Sequence, residues 1–490
     1  MQKSKLQFKI QNLRKKYPKF LYQRYSYRIS ENNLEIFFYF QIEPDIFFNP
    51  RIVIENIDKS LIKRVGEKVL NNLIFHLGLI ELLSYWKATC SPEIIIKAGF
   101  LNSEQIKWWK DLIIKGMGQF FYENKIDFTK PAFLDIRCLK SNQSLKSELN
   151  RFNGKLKNRF LVPVGGGKDS IVTLEILKKT KKELSSFSLN PTDAALKIIK
   201  IAGCKNQIIA RREIDPKLLE LNQKGFLNGH TPFSAYLAFL SVLVTVIFDY
   251  KYIAFSNERS SNEGNIKYLK KAINHQYSKS FNFEKKFSRY SQKYLTSGVE
   301  YFSFLRPLYE IQIAKLFSKY PKYFSAFLSC NEAYKTASGT KKPTKRWCGN
   351  CPKCLFVFAT LYPFVNKQKL IKIFGENLFD KKKLLPTMQE LIGERKFKPF
   401  ECVGTKKESL VTFYLSWKKN RQQPSHHPPA FGRHLGRASV KLPFLLKYFQ
   451  KKILPKYPNL DKESKQILDS WNNQHNLPRE VERNLKKVVS

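Results

Sequence analysis

Acidic residues are scarce in this sequence: 40 Asp and Glu stand against 87 Lys and Arg, a net charge of +47 over 490 residues. Methionine occurs three times and cysteine eight times. No repeat at solenoid periods and no long low-complexity tract occurs, which excludes a repeat array. The longest apolar stretch, 233–248, is interrupted by Ser234, Ser241 and Thr245. It falls short of the roughly 20 apolar residues that cross a bilayer, so it reads as a buried core helix, and no stable membrane insertion is expected. The first 28 residues are rich in Lys, Arg, Gln and Tyr and lack an apolar h-region. No secretory signal is expected, and the expected location is cytoplasmic. Four of the eight cysteines cluster between Cys330 and Cys354, a distribution that suits a metal site in a reducing compartment better than a disulfide framework.

What is present suits a folded protein. Hydrophobic residues make up 43% and aromatics 14%, too many for a disordered polycation. The length predicts two to four domains. The charge suits acidic partners such as nucleic acid, an anionic surface or phosphorylated small molecules. Lys, Phe, Tyr, Ile and Asn are abundant together, however, which reads as nucleotide bias, so the charge weighs little.

The chain opens with strand patterns at about 20–29 and 33–42, followed by helices. Within 71–87 (NNLIFHLGLIELLSYWK), Leu73, His76, Leu77, Ile80, Leu83 and Tyr85 share a face at helical spacing, as in a core helix. A different grammar begins at Arg159. An apolar run, 160–164, leads into Gly165, Gly166, Gly167, Lys168, Asp169 and Ser170 and then into a helical pattern. Further strands are expected at 184–189, 207–210 and 252–256, separated by helices at 191–202 and 233–248. Such alternation predicts an α/β fold with a mostly parallel sheet covered on both faces. Ligands bind beyond the carboxyl ends of such strands, which points to the neighbourhood of Gly165, Arg211 and Asn257. Four segments are expected: an N-terminal α+β region (1–155), an ATP-binding and catalytic domain (156–325), a Cys-cluster and helical region (326–405), and a basic loop with a helical tail (406–490). Residues 422–437, with His426, His427 and His434, read as an exposed loop. The tail from 441 reads as a solvated amphipathic helix pair.

The stretch VPVGGGKDS at 162–170 sits where backbone N–H groups and a helix dipole hold phosphate oxygens. It matches neither GxxxxGK[ST] nor GxGxxG. It resembles the SGGKDS loop of the ATP pyrophosphatase (PP-loop) superfamily, whose members cleave ATP between the α and β phosphates and adenylate an oxygen; Gly165 stands where that loop usually has Ser. The resemblance implies that Gly165, Gly166, Gly167, Asp169 and Ser170 cradle the leaving diphosphate, that Lys168 and the Ser170 hydroxyl neutralise it, and that Asp169 orients Mg²⁺ or a loop amide. A glycine turn without a ligand is the plain alternative.

WCGNCPKC at 347–354 brings Cys348, Cys351 and Cys354 together, with Cys330 upstream. Four thiolates satisfy a tetrahedral structural Zn²⁺, and the triple spacing also allows an iron–sulfur cluster. Cys90, Cys138, Cys204 and Cys402 are isolated and read as buried apolar residues.

Three dense polar segments follow the glycine loop: NGHTP (228–232), SNERSSNEGN (256–265) and NHQYSKS (274–280). They suit a binding floor, although any one of them could be a capped helix end. Together with GLIELLSYWK (78–87), VPVGGGKDS, NGHTPFSA (228–235), WCGNCPKC and FECVGT (400–405), they resemble the UDP-N-acetyl-α-D-muramoyl-L-alanyl-L-glutamate epimerase family over about 71–405. That resemblance implies an isomerase of peptidoglycan precursor biosynthesis that uses ATP to invert a terminal L-glutamate, with AMP and diphosphate released. The implied partner is a UDP-linked muramoyl dipeptide, and nucleic acid ranks behind it. Adenylation would remove the carboxylate charge that otherwise opposes loss of the α proton. His230, His275, Glu258 and Glu263 are the candidate bases and acids, with His favoured by its near-neutral pKa, and Lys168 stands in the catalytic loop. Asn257, Arg259, Asn265 and Lys279 are candidate substrate contacts, and Arg211 and Arg212 candidate anion ligands.

Two other readings stay open. One is a PP-loop tRNA or nucleobase modifier, deazaguanine synthase-like or thiolase-like. The other is a zinc-stabilised nucleic-acid-binding protein, which would bind with steep salt dependence.

Overall fold

A computed structural model of the chain describes residues 2–139, 147–334, 346–395, 397–422 and 442–489. The expected loop at 422–437 lies outside the described residues except for Gln422, and with it His426, His427 and His434. Two compact units are formed, Met1–Arg306 with Gln474–Ser490, and Pro307–Asn473.

The first unit is α/β. Strands β1 (Lys19–Ser30) and β2 (Asn33–Ile42) pair antiparallel. In β2 every second residue from Leu34 to Ile42 is buried, the period of a strand with one face on a core. Strands β3 (Ile46–Phe48) and β4 (Arg51–Ile54) pair antiparallel with β2, and β5 (Glu93–Ile96) and β6 (Asp135–Cys138) extend from β1 in parallel. The second block holds β7 (Lys157–Pro163), β8 (Leu184–Leu189), β9 (Asn206–Glu213) and β10 (Tyr250–Phe255). A separate hairpin, β11 (Ile266–Tyr268) with β12 (Lys271–Ile273), precedes the last sheet strand, β13 (Glu300–Ser303). The order is β13-β10-β7-β8-β9-β4-β2-β1-β5-β6, with β3 alongside β2. The five strands from β13 to β9 are all parallel, and the antiparallel β4–β9 pair joins them to the first block.

Chain order reverses between β7 and β10, so the crevice outside their carboxyl ends is the place where such a sheet binds ligands. Pro163 and the glycine loop leave β7 there, and Ser256, Asn257 and Glu258 leave β10. The helix Phe233–Ile247, mostly apolar, has twelve buried residues, as a helix packed on most sides requires. Among the described residues one helix, Glu67–Trp86, is long and apolar enough to cross a membrane, yet 89% of its apolar window is buried inside the protein.

The second unit is built mainly of helices, among them Glu310–Phe317, Pro352–Leu361, Lys367–Phe374, Leu385–Ile392 and Lys406–Gln422. The tail departs from the expected solvated pair. Leu445, Leu446, Phe449 and Ile453 are buried in this unit. The final helix, Arg479–Val489, returns to the first unit with Val481 and Leu485 buried, and Lys182 pairs with Glu480 at 2.5 Å.

Candidate active site

At the switch point the chain turns from β7 through Gly165, which is exposed, and Gly166, which is buried with φ +98°. A Cβ on Gly166 would lie 3.1 Å from both the Ala194 Cβ and the Ala195 backbone nitrogen, whereas one on Gly165 would meet nothing within 4 Å. Gly167 is the N-cap of the helix Lys168–Leu177 and has no side-chain cap, so the positive end of the helix faces the loop. Lys168 is buried and its ammonium sits on the Asp169 carboxylate. The Ser170 hydroxyl donates to the Gly167 carbonyl at 3.0 Å, so it braces the turn and keeps its oxygen as an acceptor.

Beyond β10, the Asn257 amide donates to Ser303 Oγ at 3.1 Å, tying the ends of β10 and β13. The carboxylates of Glu258 and Asp169 approach within 4.8 Å. Two such carboxylates are the oxygen ligands that a divalent cation takes, and the Lys168 ammonium occupies one oxygen of Asp169. Arg259 begins a short 3-10 turn, and Glu263 closes it with its N–H on the Ser260 carbonyl at 3.3 Å. The hub of this region is a residue that the sequence reading missed. Arg306, fully buried, donates to the Glu258 carbonyl at 2.5 Å, to Ser261 Oγ at 2.9 Å, to the Lys279 carbonyl and to the Glu284 carboxylate at 3.0 Å. It thereby holds the segment after β10 against the segment after β12.

That second segment carries His275. Its backbone N–H donates to Asn265 Oδ1 at 2.8 Å, and Nδ1 lies 2.5 Å from Gln119 Oε1. The Gln119 amide nitrogen donates to Glu123 at 2.8 Å. The amide oxygen therefore faces the imidazole, which puts the proton on Nδ1 and the basic lone pair on Nε2. The His230 ring touches His275, with centroids 4.5 Å apart and planes at 48°. Burial, and then the charges of His275, Lys87 and Lys279, push the His230 imidazole down to about 3, so it is neutral at physiological pH.

Lys87 reaches the same loop from the helix side and donates to the Gly229 carbonyl at 3.1 Å. Burial, together with the Arg212 cation, lowers its ammonium to about 8. Lys87 ends a polar stripe in the apolar stretch GLIELLSYWK, with Glu81, Ser84 and Lys87 three residues apart and thus on one helix face. Arg212 forks onto Glu81 (2.7 and 2.8 Å) and Ser84 (2.7 Å). Glu81 is wholly buried, and its charge outweighs the burial that would otherwise lower the Arg212 pKa. Arg212 is thus committed within the protein, and Arg211 pairs with Glu55 on the surface. Ile80, Ser84, Arg212, Thr231, Pro232, Phe233 and Tyr236 line a small recess with space for about one water-sized guest. The structure therefore brings the glycine loop, Asn257, Glu258, Asn265, His230, His275 and Lys279 into one unit at one end of the sheet and adds Lys87, Gln119 and Arg306.

In the second unit the sulfurs of Cys330, Cys348, Cys351 and Cys354 all lie within 4.8 Å of one another. The Cys330–Cys351 separation is 4.0 Å and Cys348–Cys354 is 3.7 Å. Thiolates on a tetrahedral Zn²⁺, with bonds of about 2.3 Å, are about 3.8 Å apart. An iron–sulfur cluster puts thiolates on different irons and spreads those pairs wider, so a set with every pair within 4.8 Å fits a single ion. Of the isolated cysteines, Cys90 is buried and Cys138, Cys204 and Cys402 are half-buried.

Two family models cover most of the chain: the MurL N-terminal domain matches residues 11–304 and the MurL C-terminal domain residues 326–428. The chain belongs to the MurL family. Relatives named UDP-N-acetyl-alpha-D-muramoyl-L-alanyl-L-glutamate epimerase include those of Micromonospora sp. (33% identity over 71% of this chain and 75% of the relative) and Xanthomonas oryzae pv. oryzae (33%, over 70% and 75%). That of Salinispora tropica is also 33% identical, over 71% of this chain and 73% of its own. The MurL N-terminal match ends two residues before Arg306, and the C-terminal match takes in all four clustered cysteines. The final helix lies outside both.

Proposed function

We propose that this chain is an ATP-dependent epimerase that inverts the terminal L-glutamate of UDP-N-acetylmuramoyl-L-alanyl-L-glutamate through an acyl-adenylate, in cytoplasmic peptidoglycan precursor synthesis. The observation that carries the reading is the meeting, at the β7/β10 switch point, of a PP-loop-like turn with the segment that Arg306 ties to the His275 side. The family relationship supports the same substrate.

The glutamate α-carboxylate attacks the α-phosphorus of ATP, and diphosphate leaves into the cradle of Gly166, Gly167 and the N–H groups of Asp169 and Ser170, beside Lys168. Asp169 and Glu258 would hold Mg²⁺, which neutralises phosphate charge when bound. The mixed anhydride carries no charge on the acyl group, so removing the adjacent proton gives an enolate and not a dianion. The His230–His275 pair takes that proton through a neutral imidazole. A proton returns on the other face, and water cleaves the anhydride to release AMP and the D-glutamyl product. Asn257, Arg259, Asn265 and Lys279 line the substrate side. Cys330, Cys348, Cys351 and Cys354 would hold a Zn²⁺ that cross-links their unit. In this reading 156–325 carries adenylation and proton transfer, and 326–405 is the zinc-braced region.

The test is incubation of the protein with ATP, Mg²⁺ and the L-glutamyl substrate in D₂O. AMP together with D-glutamate deuterated at Cα is the expected outcome. Inversion without AMP, or AMP without inversion, overturns it.

A further inference from the structure

The His230 and His275 rings are in contact at 4.5 Å between centroids. Inversion needs a proton acceptor on one face of Cα and a donor on the other. With each about 3 to 3.5 Å from the carbon, the two groups stand about 6 to 7 Å apart with the carbon between them. No carbon fits between rings in contact, so this pair serves one face only. The second group has to come from elsewhere.

Lys87 meets that need, and the argument rests on the epimerase reading above. His230 lies between two different elements: its ring touches His275, from the segment after β12, and its preceding residue, Gly229, accepts at its carbonyl from Lys87, at the end of the Glu67–Trp86 helix. Ser84, one turn before Lys87, and Thr231, next after His230, both line an adjoining recess, so Lys87 approaches the His230 loop from the helix side. Lys279 lies four residues from His275 on the same segment, and its carbonyl is held by Arg306. Glu258 is turned to Asp169, toward the phosphate end. We propose that Lys87 is the second proton-transferring residue, acting on the face of Cα opposite the His230–His275 pair.

The protonation states suit an imidazole as proton acceptor and the Lys87 ammonium as proton donor, and the experiment below reads which face each serves. His230 is neutral while Lys87, held near 8, remains largely an ammonium that releases a proton readily. In the L-to-D direction an imidazole takes the α proton as the C–H pair becomes the enolate. The enolate carbon then takes a proton from the Lys87 ammonium, leaving a neutral amine. Exchange of both groups with water resets them for the next turnover.

The experiment uses the full chain with ATP and Mg²⁺ in D₂O, comparing wild type with Lys87→Met and Lys87→Arg, starting from the L- or the D-glutamyl substrate. Three signals are followed: AMP release, α-deuterium in recovered substrate, and inverted product. Lys87→Met is expected to keep AMP release within a few-fold, to return L-substrate deuterated at Cα without inversion, to exchange nothing from the D-substrate, and to lose inversion by at least about 100-fold. His275→Gln is expected to show the mirror pattern, with exchange from the D-substrate alone. Unchanged inversion in Lys87→Met overturns the assignment, as does loss of AMP release and L-side exchange in both Lys87 variants while their circular dichroism stays native. Absence of AMP with wild type is the separate outcome that overturns the adenylation reading itself, and the Lys87 assignment with it.

Discussion

Arg306 and Glu284 form an ion pair at 3.0 Å in which both side chains are almost wholly buried, 0% and 1% exposed. The same guanidinium reaches the carbonyls of Glu258 and Lys279. A buried charge left without its partner is costly, so Arg306→Met is expected to lower the unfolding free energy by about 3 to 5 kcal/mol in urea titration. Arg306→Lys keeps the charge but loses the fork. It should fold and show a weakened KM for both substrates, because the Glu258 segment is no longer tied to the Lys279 segment.

The two leading glycines of the loop separate conformation from chemistry. Gly166→Ala puts a Cβ against the Ala195 backbone at φ +98°, which neither the loop nor the neighbouring helix accommodates cheaply. AMP release should fall at least about 10-fold. Gly165→Ser restores the residue usual in PP-loops into open space, and activity equal to or above wild type is expected. A steady-state AMP assay checks both, and equal losses in the two variants would contradict the geometry.

Much of this was legible beforehand, because periodicity carries local structure. The strand patterns at 20–29 and 33–42 fall in β1 and β2, those at 184–189, 207–210 and 252–256 in β8, β9 and β10, and the 233–248 helix is Phe233–Ile247. The glycine loop stood out because Gly, Lys, Asp and Ser follow an apolar strand directly. What stayed hidden is long-range. Nothing in RIVI announces that β4 pairs antiparallel with β9 and fuses two sheets. Arg306 is one charge in the apolar run FSFLRPL, and four of its acceptors, on Glu258, Ser261, Lys279 and Glu284, come from other segments. Glu81, Ser84 and Lys87 did leave a signal, a polar stripe at three-residue spacing in an apolar helix, which an account of apolar faces passes over. The tail was misread because its basic composition concealed the buried apolar side of Arg479–Val489.

Gln119 fixes which nitrogen of His275 is basic. Gln119→Leu removes the acceptor of the Nδ1 proton while nearly preserving side-chain size, so the imidazole loses its preferred tautomer and orientation. Proton abstraction should slow about 10- to 100-fold with AMP release nearly unchanged. Deuterium wash-in at Cα, measured beside AMP, distinguishes this from a general loss of structure.

The cysteine cluster predicts one zinc per chain by elemental analysis. Removing it with a strong chelator, or replacing Cys354 by Ser, should lower the melting temperature of the second unit, since the ion ties the Cys330 stretch to the Cys348–Cys354 stretch. Bound iron with acid-labile sulfide would contradict the single-ion reading.

His76 ties core stability to pH. It is wholly buried, its Nδ1 donates to the Asn72 carbonyl at 2.8 Å, and its Nε2 accepts from the Tyr290 hydroxyl at 2.9 Å. That hydroxyl in turn accepts from Trp109 at 3.0 Å and Gln105 at 3.2 Å. Burial pushes the His76 pKa down to about 4 from its ordinary 6.5. Between these values the unfolded chain binds a proton that the folded chain excludes, so this contribution is fully present above about pH 6.5 and is lost as pH falls toward about 4. A fall of about 2 kcal/mol in unfolding free energy from about pH 7 to about pH 5 is expected from this group. His76→Gln keeps a hydrogen-bonding side chain that cannot be protonated in this range, so its stability should fall less steeply over the same range by that amount. Urea unfolding of both proteins at the two pH values decides it, and parallel slopes would assign the acid sensitivity to other groups.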